Sequence, residues 1–380
     1  MYSGLRFSVA QEIFFGKHFF IEYQRGNLPI VITVSHGGNL NPSSIPDRTC
    51  YSPVLVSDLY VNELAQQISF SLYRITGCNP HMILCHLKRT KLDCNRPLEE
   101  GACDDPLAVS AWNEFHEFIK TAQHLAGLEN GDNTFFIDLH GHGKPYQRIE
   151  LGYALYGHEL ELSDSVLNTT MYIERSSINE LSNHNILHLD HAELLRGEFS
   201  LGTLLTDAGY PSLPSQQIPS PGDTTTYYRG GYITRTHTCA NPGNNVNGVQ
   251  MEINFTGIRD LPENLTRFAD TLAEVMADYL KIHRNYMMTG CGATFETSME
   301  NLEVYPNPCS RSQSYVQMSG LPPGQYRYQI LSLTGQLISA GRVEFNKIPV
   351  PGHLSENICF LVIEDERKQM LYTNKLLFTF

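Results

Sequence analysis

Two stretches of the chain place an imidazole immediately before glycine at the end of an apolar run. They are Ser-His-Gly-Gly at 35–38, which follows Val31-Ile32-Thr33-Val34, and Asp-Leu-His-Gly-His-Gly at 138–143. A catalytic zinc site needs three protein ligands and one open position, and imidazole nitrogen is a favoured ligand. His36 and His140 are the nitrogen candidates. A Glu three residues after His36 would be the usual short spacing for a further ligand, but position 39 is Asn. Asp58, expected at the start of the first helix, is the best acidic candidate, because carboxylate oxygen binds zinc and the helix start lies at the same sheet edge. For either histidine taken alone, a hydrogen-bonded core role is the alternative. The run LKRTKLDCNRP at 87–97 concentrates basic residues in an acidic chain. There Arg96 beside Asn95 offers a guanidinium and an amide suited to a carboxylate. A solvated loop or an ion pair with Asp93 is the competing account. Glu252, in Gln-Met-Glu-Ile-Asn, falls in mid-strand with Met251 and Ile253 facing the other way, where a carboxylate is costly unless paired or employed.

These groups require elements that bring distant segments to one edge. Four β-branched residues at 31–34 predict a buried strand, and the glycines after His36 mark a sharp turn or a close approach. Segment 56–77 predicts a helix, with Leu59, Leu64, Ile68 and Leu72 on one face and Ser57 capping its first turn. Strands follow at 81–87, 134–143 and 248–255, and helices at 108–125 and 261–286. Alternation of this kind from about residue 20 to 288 predicts an α/β fold, a mixed and largely parallel sheet sandwiched by helices. Ligands of such sheets bind at the carboxyl ends of the strands.

The bulk properties bound the possibilities. A chain of 380 residues, 41% hydrophobic and 18% charged, can bury a large core and form two or three domains. Its net charge of −13, from 27 Lys and Arg against 40 Asp and Glu, argues against a nucleic-acid partner. No apolar run approaches the roughly 18 residues of a transmembrane helix. The nine cysteines include no C-x-x-C pair, which argues against a zinc knuckle or a thioredoxin-type site. Cys78, Cys85, Cys94 and Cys103 fall close together and can pair in an exported protein, or remain buried as small hydrophobes. The opening MYSGLRFSVAQ lacks the apolar core of a secretory signal, although Ser-Val-Ala-Gln is similar to the end of a cleavage region.

Beyond Glu300 the pattern changes to short alternating strands separated by Pro and Gly turns, such as Leu-Pro-Pro-Gly at 321–324 and Thr-Gly at 334–335. This predicts a catalytic domain over 1–290, a linker over 291–300 and a small all-β sandwich over 301–380. The Val-Tyr-Pro-Asn-Pro entry, the Leu-Pro-Pro-Gly-Gln-Tyr hairpin and the Leu-Thr-Gly-Gln-Leu turn resemble the carboxy-terminal sorting domain of type IX secretion, found in Bacteroidetes. The resemblance implies that the type IX machinery is a partner and that the protein is secreted or held at the cell surface. An accessory sandwich with no transport role is the alternative.

Over most of residues 30–285, SHGGNLNP, Ser57-Asp58, HLKRTKLDCNRP, IDLHGHG, IELGY, YYRGGYITRTH and GVQMEIN together resemble the N-formylglutamate amidohydrolase family. That family is a branch of the zinc carboxypeptidase-like fold, also termed phosphorylase/hydrolase-like. The resemblance implies one zinc ion per chain held by His36, His140 and Asp58. It also implies that Asn95 and Arg96 grip the substrate carboxylate, that Arg89 polarises the scissile carbonyl and that Glu252 is the acid/base acting on the attacking water. The expected activity is hydrolysis of an N-acyl amino acid. A metallocarboxypeptidase acting on short peptides and an inactive surface binding module are the alternatives, and the insertion at 158–225 either walls the cleft or forms a subsite.

Overall fold

In the computed structural model the apolar runs of the sequence become eight strands: β1 (Ile13–Phe15), β2 (Ile21–Gln24), β3 (Ile30–Val34), β4 (His81–Cys85), β5 (Phe135–His142), β6 (Ile149–Gly152), β7 (Ser212–Leu213) and β8 (Asn247–Asn254). They form one sheet in the order β1-β2-β4-β3-β5-β8-β6-β7. The inner strands β4, β3, β5 and β8 run parallel, and antiparallel pairing enters through β1, β2 and the β6–β8 pair, so the sheet is mixed. The structure describes residues 11–222 and 226–288 and, beyond them, 303–307, 309–310, 313–319, 321, 326–331, 337–352, 358–365 and 370–379. Two compact units divide the chain, residues 11–291 and residues from 292 onward.

Strand periodicity sorts the residues of the larger unit into two cores. Ile30, Ile32, Val34, Phe135, Ile137, Leu139, Val249, Met251 and Ile253 point to one face. Helices α1 (Val61–Thr76) and α10 (Pro262–Arg284) cover that face with Leu64, Ile68, Leu72, Phe268, Leu272 and Met276. Val31, Ile83, Cys85 and Phe136 point to the other, under Phe115, Ile119 and Ala122 of α3 (Pro106–Asn130). Each such side chain contributes about 1.5–3 kcal/mol when fully buried. Helix α3 is long because its ends are well specified: the Asp105 carboxylate accepts from the Leu107 and Ala108 N–H groups at 3.0 Å, Pro106 opens the first turn and Gly131 ends it. The short α2 (Leu98–Ala102) precedes it. Residues 158–222 of the insertion form α4 (Asp164–Leu167), α5 (Thr170–Arg175), α6 (Asn179–His184), α7 (His191–Arg196), α8 (Leu201–Asp207) and β7, followed by α9 (Tyr232–His237). Leu160, Leu167, Ile178, Leu194 and Leu201 join the first core, so the insertion is an integral part of that layer.

Three expectations are corrected. The first helix starts at Val61, five residues later than the pattern implied, with Tyr60 in the left-handed region at φ 62° and no side-chain cap. Ser57 instead accepts from the Arg89 N–H at 3.4 Å, and Leu59 is 57% exposed. The cause is Asp58, whose N–H donates to the His36 carbonyl at 3.0 Å and holds this segment against the sheet, out of helical register. Cysteine pairing also differs: Cys103 bonds Cys50, with the Cα atoms 5.8 Å apart, while Cys85 and Cys94 stay reduced and buried. Cys78 is also disulfide-bonded. Closing a loop across a separation of 53 residues stabilises the folded state by about 2–4 kcal/mol. Finally, the competing account of Arg96, an ion pair with Asp93, is not met, because Asp93 pairs with Arg89 and Arg48.

The smaller unit has a five-stranded sheet, β10 (Cys309–Ser310), β16 (Met370–Thr379), β15 (Ile358–Asp365), β12 (Tyr326–Leu331) and β13 (Leu337–Arg342), and a three-stranded one, β14 (Lys347–Pro349), β11 (Tyr315–Ser319) and β9 (Glu303–Tyr305). Val316, Met318 and Ile348 from one and Ile330, Leu361, Ile363 and Leu376 from the other share a core. The pairing is antiparallel apart from β10–β16. The predicted linker, the turns at 322–325 and 334–335 and the opening ten residues lie outside the described residues.

Candidate metal centre

The carboxyl ends of β3, β5 and β8 carry the polar groups that the two cores leave over. On β5, Asp138 and His140 lie two residues apart and so share a face, and the β5–β8 register sets His140 directly beside Glu252. Met251 and Ile253 turn into the opposite core, as their alternation with Glu252 requires. His36 follows β3, and Gly38 after it packs against the backbone of His86, where a Cβ would overlap the carbonyl carbon. That close approach is what the paired glycines permit.

His36, Asp58 and His140 converge: one nitrogen or oxygen from each lies within 4.8 Å of the others, and all three residues are buried. Asp58 Oδ2 accepts from His140 Nδ1 at 3.2 Å and from the Gly141 N–H at 3.1 Å. It lies 3.6 Å from His36 Nδ1, a buried nitrogen with no hydrogen-bond partner among the described residues. Each imidazole has a carboxylate on its far nitrogen. His36 Nε2 is 2.7 Å from Asp93 Oδ1, and His140 Nε2 is 3.1 Å from Asp138 Oδ2. Asp93 is held in turn by Arg89 Nε at 3.0 Å and Arg48 at 3.6 Å, and Asp138 accepts from the Thr33 hydroxyl at 2.9 Å.

The carboxylates of Asp58, Asp93, Asp138 and Glu252 meet the two imidazoles and the Arg48 and Arg89 guanidinium groups in this cluster. Burial works to raise Asp58, but the hydrogen bond from His140 and the His36 imidazole close beside it hold its carboxyl well below the ordinary range. Burial would likewise lower His140, yet Asp138 and Asp58 hold it protonated well above its usual value. Glu252, next to these carboxylates and deeply buried, is pushed up to about 8, against the pull of His140. The donor set fits a divalent cation: two imidazoles and a carboxylate face one point, an orphaned nitrogen is aimed there, and carboxylates behind the imidazoles fix their orientation. Among the described residues this is the only such grouping of His, Cys, Asp and Glu.

The other predicted groups fall around it with different partners. Asn95 is turned inward: its carbonyl accepts from the Ile233 N–H at 2.9 Å, and its amide nitrogen faces His140 Nε2 at 3.2 Å and Gln250 Oε1 at 3.3 Å. Arg89 is committed to Asp93 and to the Val56 carbonyl at 3.3 Å. Arg96 has no ion pair among the described residues and lines a cavity of about 150 Å³ with Arg48, Tyr51, Ser52 and Glu100. Glu252 accepts from Gln250 Nε2 at 3.1 Å, and its cross-strand partner Glu150 is paired with Lys144 at 2.8 Å.

Sequence reasoning missed Asp93, Asp138 and Arg48 as supports. Asp138 had a usable signal, its two-residue spacing from His140 on a strand. Asp93 was visible only as an ion-pair partner within its own basic run, and Arg48 had no signal, since its contact with Asp93 joins separate segments. Replacing Asp93 by Asn is expected to weaken metal binding about 10–100-fold, because His36 loses its orienting carboxylate. Chelator competition measures this, and unchanged affinity would remove Asp93 from the account.

No family model and no curated protein matches the chain. Among solved structures, one similar chain is PorZ, an essential bacterial surface component of the type-IX secretion system of human oral-microbiomic Porphyromonas gingivalis. It is 18% identical over 25% of this chain and 13% of that one, at a TM-score of 0.20. Another is a metallo-carboxypeptidase from Pseudomonas aeruginosa in complex with (2-guanidinoethylmercapto)succinic acid. It is 11% identical over 68% of this chain and 61% of that one, at a TM-score of 0.30. The chain therefore spans about an eighth of the first and three-fifths of the second, and the chemistry of the site rests on its own geometry.

Proposed function

We propose that the protein is a zinc-dependent hydrolase that cleaves the amide bond of an N-acyl amino acid, as the motif resemblance to N-formylglutamate amidohydrolases implies. The observation that carries this is the His36, Asp58 and His140 grouping with Glu252 beside it and a carboxylate behind each imidazole. When bound there, zinc supplies Lewis-acid polarisation of the amide oxygen and acidifies water. Glu252 takes the proton of the attacking water and returns it to the leaving nitrogen, a role that its elevated proton affinity suits. Arg96, without an ion pair among the described residues and at the edge of a cavity, orients the substrate carboxylate, and Asn95 and Arg89 hold His140 and Asp93 in place.

A second reading has support from one feature. The segment around Asp58 exposes Tyr51, Val54, Val56, Leu59 and Tyr60, an apolar rim that suits a short peptide and hence a metallocarboxypeptidase. The Cys50–Cys103 bond fits an exported protein, and the two-sheet unit after residue 300 fits a type IX sorting domain. Among the described residues no helix is long and apolar enough to cross a membrane.

The test is metal analysis of the purified chain followed by rates on N-formyl, N-acetyl and peptidyl amino acids. About one zinc per chain with fastest turnover of an N-acyl amino acid is expected. Preference for peptides would favour the carboxypeptidase. A metal-free protein that still binds these ligands through Arg96 would make it a binding module.

A further inference from the structure

Arg259 sits in the turn Phe255–Arg259 after β8, 3% exposed, and its guanidinium meets no carboxylate within ion-pair distance among the described residues. It donates to three carbonyls. Nη1 donates to Leu59, and Nη2 donates to His142 and Ile253, each at 3.0 Å. Leu59 follows Asp58, His142 lies two residues after His140, and Ile253 follows Glu252. One planar group therefore ties together the three segments that carry a ligand candidate, a second ligand candidate and the acid/base candidate.

Two of those segments, β5 and β8, are already joined by the sheet. The Asp58 segment belongs to no strand or helix, so its distance from the sheet depends on a few contacts, of which the Arg259–Leu59 bond is one. The chain makes room for this group at Gly141, between His140 and His142. A Cβ there would lie within 2.6 Å of Nη1 and Nη2. A buried guanidinium with no direct counter-ion is a poor source of stability, and its Nε has no partner among the described residues. Lysine could not replace it, because a single ammonium cannot present a rigid fork to carbonyls on separate segments.

We propose that Arg259 is the positioning residue of the metal centre, setting the separation of Asp58 from His140 and Glu252 through the carbonyls of Leu59, His142 and Ile253. The proposal rests on the metal-site reading above. It concerns the spacing of the ligands and leaves the substrate open.

The experiment uses the full chain, stripped and reloaded with zinc or with cobalt(II), and the variants Arg259→Met, Arg259→Lys and Gly141→Ala. The readouts are zinc affinity by chelator competition, the visible spectrum of the cobalt form and the thermal midpoint of the metal-free protein. Arg259→Met is expected to weaken zinc binding about 10–100-fold, the range for a lost outer partner of a metal ligand, and to alter the cobalt spectrum. Gly141→Ala, which keeps the charge but crowds the guanidinium, should move both readouts the same way, and Arg259→Lys should restore them only in part. Wild-type affinity and spectrum in Arg259→Met and Gly141→Ala would overturn the proposal, even with a lowered midpoint, since that pattern belongs to a structural role alone. Should Arg259→Met not fold, Gly141→Ala and Arg259→Lys decide by the same readouts. A wild-type chain that binds neither metal would overturn the metal-site reading itself and the proposal with it, an outcome separate from failure of the variants alone.

Discussion

Glu252→Gln is expected to keep its metal and lose turnover by about 10²- to 10⁴-fold. Glutamine preserves the shape and can still meet Gln250, the side chain 3.1 Å away, but it cannot accept the proton of the attacking water. The competing account, a carboxylate kept only to neutralise a buried cation, predicts a large loss of stability with activity per folded molecule intact. In this fold Lys144 and Arg148 approach Glu150, to 2.8 Å and 3.4 Å, and no ammonium or guanidinium among the described residues forms an ion pair with Glu252. The metal-free protein gives a second readout. Burial lifts the Glu252 carboxyl from an ordinary value of 4.5 to about 8, so the folded state holds a proton that the unfolded chain releases. The stability tied to that proton is complete below pH 4.5 and is lost as pH rises through about 8. Metal-free Glu252→Gln should therefore gain on wild type as the pH is raised. Initial rate, zinc content and thermal midpoint on one preparation suffice, and near-normal turnover on the best substrate would refute the assignment.

The double variant His36→Ala, His140→Ala is expected to bind no zinc where wild type binds about one per chain. Its folded state should persist, because the apolar clusters on the two sheet faces do not use these side chains. It should still be weaker, since Asp58 loses both imidazoles beside it, and breaking a buried pair costs about 3–5 kcal/mol. Equilibrium dialysis against zinc, followed by elemental analysis, is the direct measurement. Stoichiometric zinc in the double variant would move the metal site elsewhere.

Much of this arrangement was legible in the chain because it is periodic. The strand around Glu252 and helix α10 begin and end within two residues of the pattern, and α3 begins two residues before it but runs five residues past it, where apolar spacing and terminal Pro or Asp act locally. The start of α1 was misjudged for a tertiary reason. Asp58 is drawn to His36 and Gly141, and a hydrogen bond to His36, 22 residues earlier, overrides the local preference of Ser57 for a cap. Cys50 lies outside the local cysteine cluster and gave no signal as the partner of Cys103. Arg259 was hidden more completely, because its bond to Leu59 spans 200 residues and nothing near it in the sequence marks a buried guanidinium.

The bond between Cys50 and Cys103 turns the intervening chain into a covalent ring that contains Asp58, Arg89, Asp93 and Asn95, while His36, His140 and Glu252 lie outside it. A single cut in the backbone inside that ring opens it without dividing the molecule. Wherever the bond stays oxidised, a copy nicked between residues 50 and 103 keeps every group of the centre on one covalent piece, a tolerance of cleavage that noncovalent packing alone does not provide.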